Sequence, residues 1–354
     1  MSVISNLQKT GISRRSFIAT SALATASLAL SGPAIAAADT GNKNSSAAEV
    51  QNVTFCLDYT PNTNHIGIYV AQELGFFDEQ NLKVTIVQPA EDSAEAILAI
   101  GQAQFGVSYQ DYLAGAYSNG MEGFTAIAAI LQHNTSGIMS LASSNINRPK
   151  DLEGKRYTTW ELPVELATVQ QVVEKDGGDW SKVLLVPYAV EDDLAGLRAN
   201  MYDAVWVFEG WAVKNAEVNG VDVNYFSFIS IDDVFDFYTP ILAVNDKYAK
   251  EHPDTVRNFL VAAAKGYEYT IEHPKEAAEI LCKAVPELDS DLVEKSVEFL
   301  AGQFQADAEQ WGVIDSERWA RFFAWLNEND LVNKKLDIDA GWTNEYLPQK
   351  ETKE

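Results

Sequence analysis

The sequence predicts an α/β protein built as two lobes, with largely parallel sheets and a helical C-terminal part. Three observations carry this. Short β-branched and apolar runs alternate with amphipathic segments from Val53 to about Ile229, the pattern of strand–helix units. A turn-rich break, Asn147-Arg148-Pro149-Lys150-Asp151-Leu152-Glu153-Gly154-Lys155, divides that alternation into two sets. From Pro253 onward the periodicity is almost wholly helical. A chain of 354 residues is long enough for two lobes with separate cores, because single cores stop growing near about 250 to 300 residues.

The elements follow in order. Val53 to Leu57 and Leu82 to Val87 read as strands flanking a helix from about His65 to Leu74, which Gly75 stops. Ala94 to Gly101 is a helix, Phe105 to Ser108 a strand, and Asp111 to Ser118 a helix closed by Asn119-Gly120. Phe124 to Leu131 and Ile138 to Ala142 are apolar strands, which puts residues 51–143 in lobe I. Lobe II, residues 144–239, holds strands at Tyr157 to Trp160, Val183 to Val186, Ala204 to Phe208 and Tyr225 to Ile229. Its helices are Pro163 to Lys175, with proline at the favoured first position, then Glu191 to Ala199 and Ala212 to Asn219. Around Phe237 to Ala243 the chain returns to lobe I, which residues 240–340 complete with helices at Asp254 to Ile271, Lys275 to Ala284, Ser290 to Gln303 and Ser316 to Glu328. Residues 341–354 form an irregular tail.

Residues 1–38 read as a targeting segment. A basic region ending in Ser13-Arg14-Arg15-Ser16-Phe17-Ile18 precedes an apolar stretch from Ala19 to Leu30, and Ala34-Ile35-Ala36 suits cleavage. The paired arginines make it a twin-arginine-type signal, with an ordinary secretory signal as the alternative. Both deliver the chain across the membrane, and without a cysteine near the cleavage region a free periplasmic protein is expected. Residues 39–50 are a polar tether.

Later in the chain no run reaches the roughly 18 apolar residues that a spanning helix needs. The formal net charge is −25, from 51 acidic against 26 basic residues, so nucleic acid and anionic lipid are excluded as partners. Cys56 and Cys282 lie far apart, and His65, His133, His252 and His273 have no metal-ligand spacing, so neither a metal nor a cofactor is expected.

The richest segment is LDYTPNTNHIGIYVAQELGFF, Leu57 to Phe77. It places Asp58, Tyr59, Asn62 and His65 at a strand-to-helix turn, where open α/β proteins hold ligands. A flat, weakly basic heterocycle needs aromatic faces above and below it, and a carboxylate or amide against its ring nitrogen and exocyclic amine. Tyr59, Tyr109, Trp160 and Trp206 can supply the faces; Asp58, Asn62, Gln110, Glu161 and Glu209 can supply the rim. Each has a structural competitor. Tyr59 and Tyr109 can be core aromatics, Trp206 sits inside the alternating run AVWVF, Glu209 can serve a helix N-terminus, and His65 can cap its helix. Glu165 competes with Glu161, and His133-Asn134 either lines a cleft or turns the chain.

LDYTPNTNH, YVAQELGFFDEQNL, FGVSYQD, PKDLEGKR, VEKDGGD and the EHP-bearing helices resemble the solute-binding proteins that capture thiamine-pyrimidine precursors for ABC importers. The resemblance runs from Val53 to about Leu331 and implies a type II periplasmic binding protein fold, with hinge crossings between the lobes. It implies ligand contacts at Asp58, Tyr59, Asn62, His65, Tyr109, Gln110, Trp160, Glu161, Glu209 and Tyr238. Tyr59 stands where the family often has tryptophan. The implied ligand is an aminopyrimidine of the formylaminopyrimidine or hydroxymethylpyrimidine type, and the implied partners are a permease, its ATPase and the twin-arginine export machinery. A riboflavin-like heterocycle or a small sulfonate is the alternative ligand, although no arginine falls among the ten candidate positions.

The fold family also contains pyrimidine synthases that need a Schiff-base lysine and a donor histidine in the segment matching FGVSYQDYL. Ser108 and Tyr112 stand there, and DDVFDFYTPILAV carries no cysteine for an iron-binding run, so a binding protein rather than an enzyme is expected.

Overall fold

The computed structural model describes residues 49–89, 93–188 and 192–349. The leader, the tether up to residue 48, the expected helix start at residue 191 and the last five residues of the tail lie outside the described residues.

Among the described residues, ten strands form two five-stranded sheets. The first contains β1 (Gln51–Cys56), β2 (Leu82–Val87), β3 (Phe105–Ser108) and β4 (Phe124–Ala129); the second contains β5 (Ser136–Leu141), β6 (Arg156–Thr159), β7 (Leu184–Pro187), β8 (Ala204–Phe208) and β9 (Val223–Ser227). The final strand, β10 (Ile241–Asn245), returns to the first sheet. Strand order is β2-β1-β3-β10-β4 in one sheet and β7-β6-β8-β5-β9 in the other. The two orders are the same pattern. In each, three parallel strands are followed by an antiparallel strand contributed from across the lobe boundary. The turns after β1 and β6 therefore occupy equivalent places, as do those after β3 and β8.

One boundary differs from the sequence expectation. The sequence puts residues up to 143 in lobe I, but β5 pairs with β8 and β9 in the second sheet, so the chain crosses between Ala129 and Ser136. The strand is apolar and almost wholly buried, a pattern either sheet accepts, and the short polar run Gln132-His133-Asn134-Thr135 carries no signal that separates a crossing from a turn. The return crossing runs from Phe228 to Pro240.

The helix Ile66–Glu73 is packed against the long helix Pro253–Glu272 at a pair of glycines. A Cβ on Gly266 would lie 1.9 Å from the Gly67 carbonyl oxygen, and one on Gly67 would lie 2.4 Å from the Tyr267 ring. Phe259 on the long helix stacks on Phe105 at 3.9 Å, which fixes the helix to β3. Two C-terminal helices touch both lobes. Ser290–Leu300 bonds Ser296 to Thr63 at 2.6 Å, while its Phe299 ring lies 5.0 Å under Lys214 of the second lobe. Ser316–Glu328 donates from Trp325 Nε1 to Gln171 Oε1 at 2.7 Å.

The tail covers β4, the outer strand of the first sheet. Ala126 N donates to Gly341 O at 2.9 Å and Thr343 N donates to Ala126 O at 2.9 Å, while Ala129 N reaches Gly312 O at 2.9 Å. Cys56 is buried and Cys282 partly exposed, and both are free thiols.

Candidate ligand-binding site

After β1 the chain turns through Leu57 to Asn62 and enters a short 3-10 turn, Thr63–His65, ahead of the helix Ile66–Glu73. Asn62 caps this turn from extended backbone: its Oδ1 accepts from Asn64 N at 2.9 Å, and its own N–H donates to His65 Nδ1 at 3.1 Å. A backbone N–H can only donate, so Nδ1 is the lone-pair nitrogen. The imidazole proton therefore sits on Nε2, which donates to Asp58 Oδ1 at 2.6 Å. The Tyr109 hydroxyl donates to the other Asp58 oxygen. Burial pushes the Asp58 carboxyl up, but the hydrogen bonds from His65 and Tyr109 outweigh it and hold the group below its usual range. Burial and the Asp58 charge push the Tyr109 phenol well above its ordinary value, so it remains a donor.

Four of the ten expected residues, Asp58, Asn62, His65 and Tyr109, thus form one hydrogen-bonded group, and Tyr59 projects beside it with 59 % of its surface exposed. Gln110 and Tyr238 are placed differently. Both are fully buried. Gln110 donates to Trp319 O at 3.0 Å and accepts from Tyr238 N at 2.9 Å, while the Tyr238 hydroxyl accepts from Asp315 N at 2.8 Å and its ring stacks toward Trp319. They brace the return crossing against the helix Ser316–Glu328 and offer no surface to a ligand. Helix periodicity alone does not separate the first helical residue, which is fully buried here, from the half-buried turn residue before it.

On the second lobe Trp160 follows β6 with 41 % of its surface exposed. Glu161 beside it has φ +60°, the left-handed region that non-glycine residues seldom adopt, and its N–H donates to Thr159 Oγ1 at 2.8 Å. Glu165 is not a rim group. Its buried carboxylate accepts from Tyr157 Oη at 2.5 Å, Thr159 Oγ1 at 2.8 Å and Trp160 N at 3.1 Å, so it sets the turn that presents Trp160. Trp206 is mostly buried, 4.3 Å from Phe228 and 6.1 Å from Trp160, and supports the exposed indole from behind.

Tyr188 was not among the expected residues. It follows β7, lies 5.8 Å from Trp160 and donates to Asp193 Oδ1 at 3.1 Å; burial and the Asp193 charge push its phenol well above the ordinary value. The only signal for it in the sequence is an aromatic directly after a strand, in LLVPY.

Glu209 opens a π-turn, Glu209–Val213, directly after β8, and its N–H donates to Thr135 O at 2.9 Å. Such turns recur at functional sites because they re-aim the residue that begins them. The carboxylate receives no hydrogen bond from the described residues. Burial and the nearby Glu217 raise its pKa, with Lys214 opposing.

Each lobe thus carries aromatic surface and a carboxylate at its strand ends: Tyr59 beside Asp58, whose carboxylate is held by two donors, on the first, and Trp160 and Tyr188 with Glu209, which has no donor among the described residues, on the second. This arrangement can stack a planar ring and accept hydrogen bonds from its edge. A separate cavity of about 480 Å³ runs between Leu57, Tyr69, Gln72, the β2 edge and Ala284; its walls come from the first lobe alone.

Residues 62–277 match the family model described as NMT1/THI5 like. The chain belongs to the NMT1/THI5-like family. Among relatives of this NMT1/THI5-like chain, the formylaminopyrimidine-binding protein of Halalkalibacterium halodurans is 28 % identical over 83 % of this chain and 90 % of its own length. A 4-amino-5-hydroxymethyl-2-methylpyrimidine phosphate synthase of Legionella pneumophila is 27 % identical over 84 % of this chain and 92 % of its own. The periplasmic aliphatic sulphonate binding protein of Escherichia coli superposes with a TM-score of 0.66 at 15 % identity, covering 85 % of this chain and 99 % of that one. The fold is the type II periplasmic binding protein fold.

Proposed function

We propose that the protein is the exported solute-binding component of an ABC importer and captures an aminopyrimidine precursor of thiamine, of the N-formyl-4-amino-5-aminomethyl-2-methylpyrimidine or hydroxymethylpyrimidine type. The observation that carries the reading is the contrast between two carboxylates. Asp58 is ionised and its two oxygens are each engaged by a donor, whereas Glu209 has no donor among the described residues and stands ready for one from a ligand. An exocyclic amine meets that need, and a hydrogen bond to a charged acceptor is worth about 1.5–3 kcal/mol. Tyr59 on one lobe, with Trp160 and Tyr188 on the other, supplies the ring surface. The relative from Halalkalibacterium halodurans supports the same ligand class.

The export leader at 1–38 puts the protein in the periplasm, delivered by the twin-arginine route, with a membrane permease and its ATPase as partners for the loaded form. The synthase names among the relatives favour a second reading, an enzyme that makes the pyrimidine. In the segment where such an enzyme needs its amine, Ser108 is buried and donates to Glu95 at 2.6 Å, so no aldimine can form there.

Calorimetric titration of ligand-stripped protein with the two pyrimidines, riboflavin, taurine and nitrate tests the reading. Saturable binding of a pyrimidine is expected. A response to taurine or nitrate without one to either pyrimidine would overturn it, and pyrimidine release from pyridoxal phosphate by the purified protein would restore the enzyme.

A further inference from the structure

The two segments that join the lobes are laced together. Ile130 N donates to Pro240 O at 3.0 Å, Asn134 Nδ2 donates to Phe235 O at 2.8 Å, and Asn134 N donates to Asp236 Oδ1 at 3.1 Å. The imidazole of His133 sits over this lacing. Its Nδ1 lies 2.8 Å from Asp236 Oδ2, on the return crossing, and its Nε2 lies 3.0 Å from Asp307 Oδ1, on the segment after the helix Ser290–Leu300. Arg318, from the helix Ser316–Glu328, faces the same carboxylate with its Nε 3.5 Å from Asp236 Oδ2 and donates from Nη1 to Gln132 O. Asp236, Asp307 and Arg318 are the charged groups that face His133 among the described residues.

Ionised carboxylates only accept hydrogen bonds, so each ring nitrogen facing one must carry a proton. The geometry needs the imidazolium. We propose that His133 is a proton-operated pin for the hinge, tying both crossings to the C-terminal segment, so that solute affinity falls as the pin is deprotonated. The hydrogen bond to Asp236 raises the affinity of this histidine for its proton, with burial and Arg318 opposing.

On losing that proton the ring keeps one N–H. It stays on the less exposed Asp236, whose second oxygen is already held by Asn134 N. The Nε2 lone pair then points at Asp307, and that contact becomes repulsive. The pinned crossings are the two segments that join the lobes, so loosening them lets the lobes part. Because the folded pKa is raised, the pin is fully present below the ordinary imidazole value of about 6.5 and is lost as pH rises through the higher folded value. Asp307 is largely exposed, which limits the effect to about two- to fivefold in affinity.

The proposal rests on the ligand reading for its binding readout but not for its titration readout. Nitrogen-edited spectra of the full-length protein should show His133 titrating above 6.5, and the dissociation constant for N-formyl-4-amino-5-aminomethyl-2-methylpyrimidine should weaken about two- to fivefold between pH 6 and pH 8.5. Asp307→Asn, a surface change that spares folding, should lower the His133 midpoint and flatten the binding profile; His133→Gln should flatten it too. A His133 midpoint at or below 6.5, a midpoint that Asp307→Asn leaves unmoved, or a pH-independent affinity despite a raised midpoint would overturn the pin. If the pyrimidine binds at no pH, the ligand assignment fails instead, and the midpoints together with the pH dependence of the radius of gyration in solution scattering decide the pin.

Discussion

At the scale of single residues the site is a question of which polar atoms are already engaged. Glu209 offers an acceptor without a donor, so Glu209→Gln should weaken aminopyrimidine binding about 10- to 100-fold in calorimetry while leaving the thermal midpoint in place. Since its pKa is raised, affinity should also fall as the pH is lowered through that elevated value, where protonation removes the acceptor charge. His65 is the opposite case. It satisfies the Asn62 N–H with one nitrogen and Asp58 with the other, so His65→Ala should cost about 1–3 kcal/mol in chemical denaturation at neutral pH. Reading the sequence placed Asp58, Asn62 and His65 together because they share one short turn, and reached Tyr109 because it ends the strand beside them. It misjudged Gln110 and Tyr238, whose partners, Trp319 O and Asp315 N, lie about 200 and about 80 positions away along the chain.

Between elements, close approach decides most. The helices Ile66–Glu73 and Pro253–Glu272 can cross at Gly67 and Gly266 only because neither carries a Cβ. Gly266→Ala should therefore destabilise the protein by about 1–3 kcal/mol, measured as a shift in urea midpoint without a change in slope. The same contact fixes the helix that follows the Asp58 turn, so some loss of affinity should accompany the loss of stability. Strand and helix positions were legible where local signals are strong: β3 and the helices Pro163–Lys175 and Ser316–Glu328 fall where apolar runs, caps and proline put them. The lobe to which β5 belongs was not legible. Its burial pattern suits either sheet, and the choice is made by pairing with β8 and β9, strands that the chain has yet to reach.

For the whole molecule, the matched strand orders put the candidate groups at equivalent turns of two sheets: Asp58 and Tyr59 after β1, Trp160 after β6 and Glu209 after β8. Trp160 is the exposed indole of this set. Binding should change the tryptophan emission of the wild type, and Trp160→Phe should remove the change while stacking is largely kept. The strand–helix alternation, the break at residues 147–155 and the family resemblance foretold two lobes, but the clamping by the helices Ser290–Leu300 and Ser316–Glu328 was not foretold, since each reads merely as an amphipathic helix. The tail laid along β4 has its own consequence. Backbone groups of Ala126 and Ala129 that Gly341, Thr343 and Gly312 now engage would, in a chain cut short before residue 312, become a bare sheet margin able to recruit another copy. Such a truncated protein should pass from monomer to aggregate with rising concentration, which makes those last few dozen residues a guard against self-association as much as a finish to the fold.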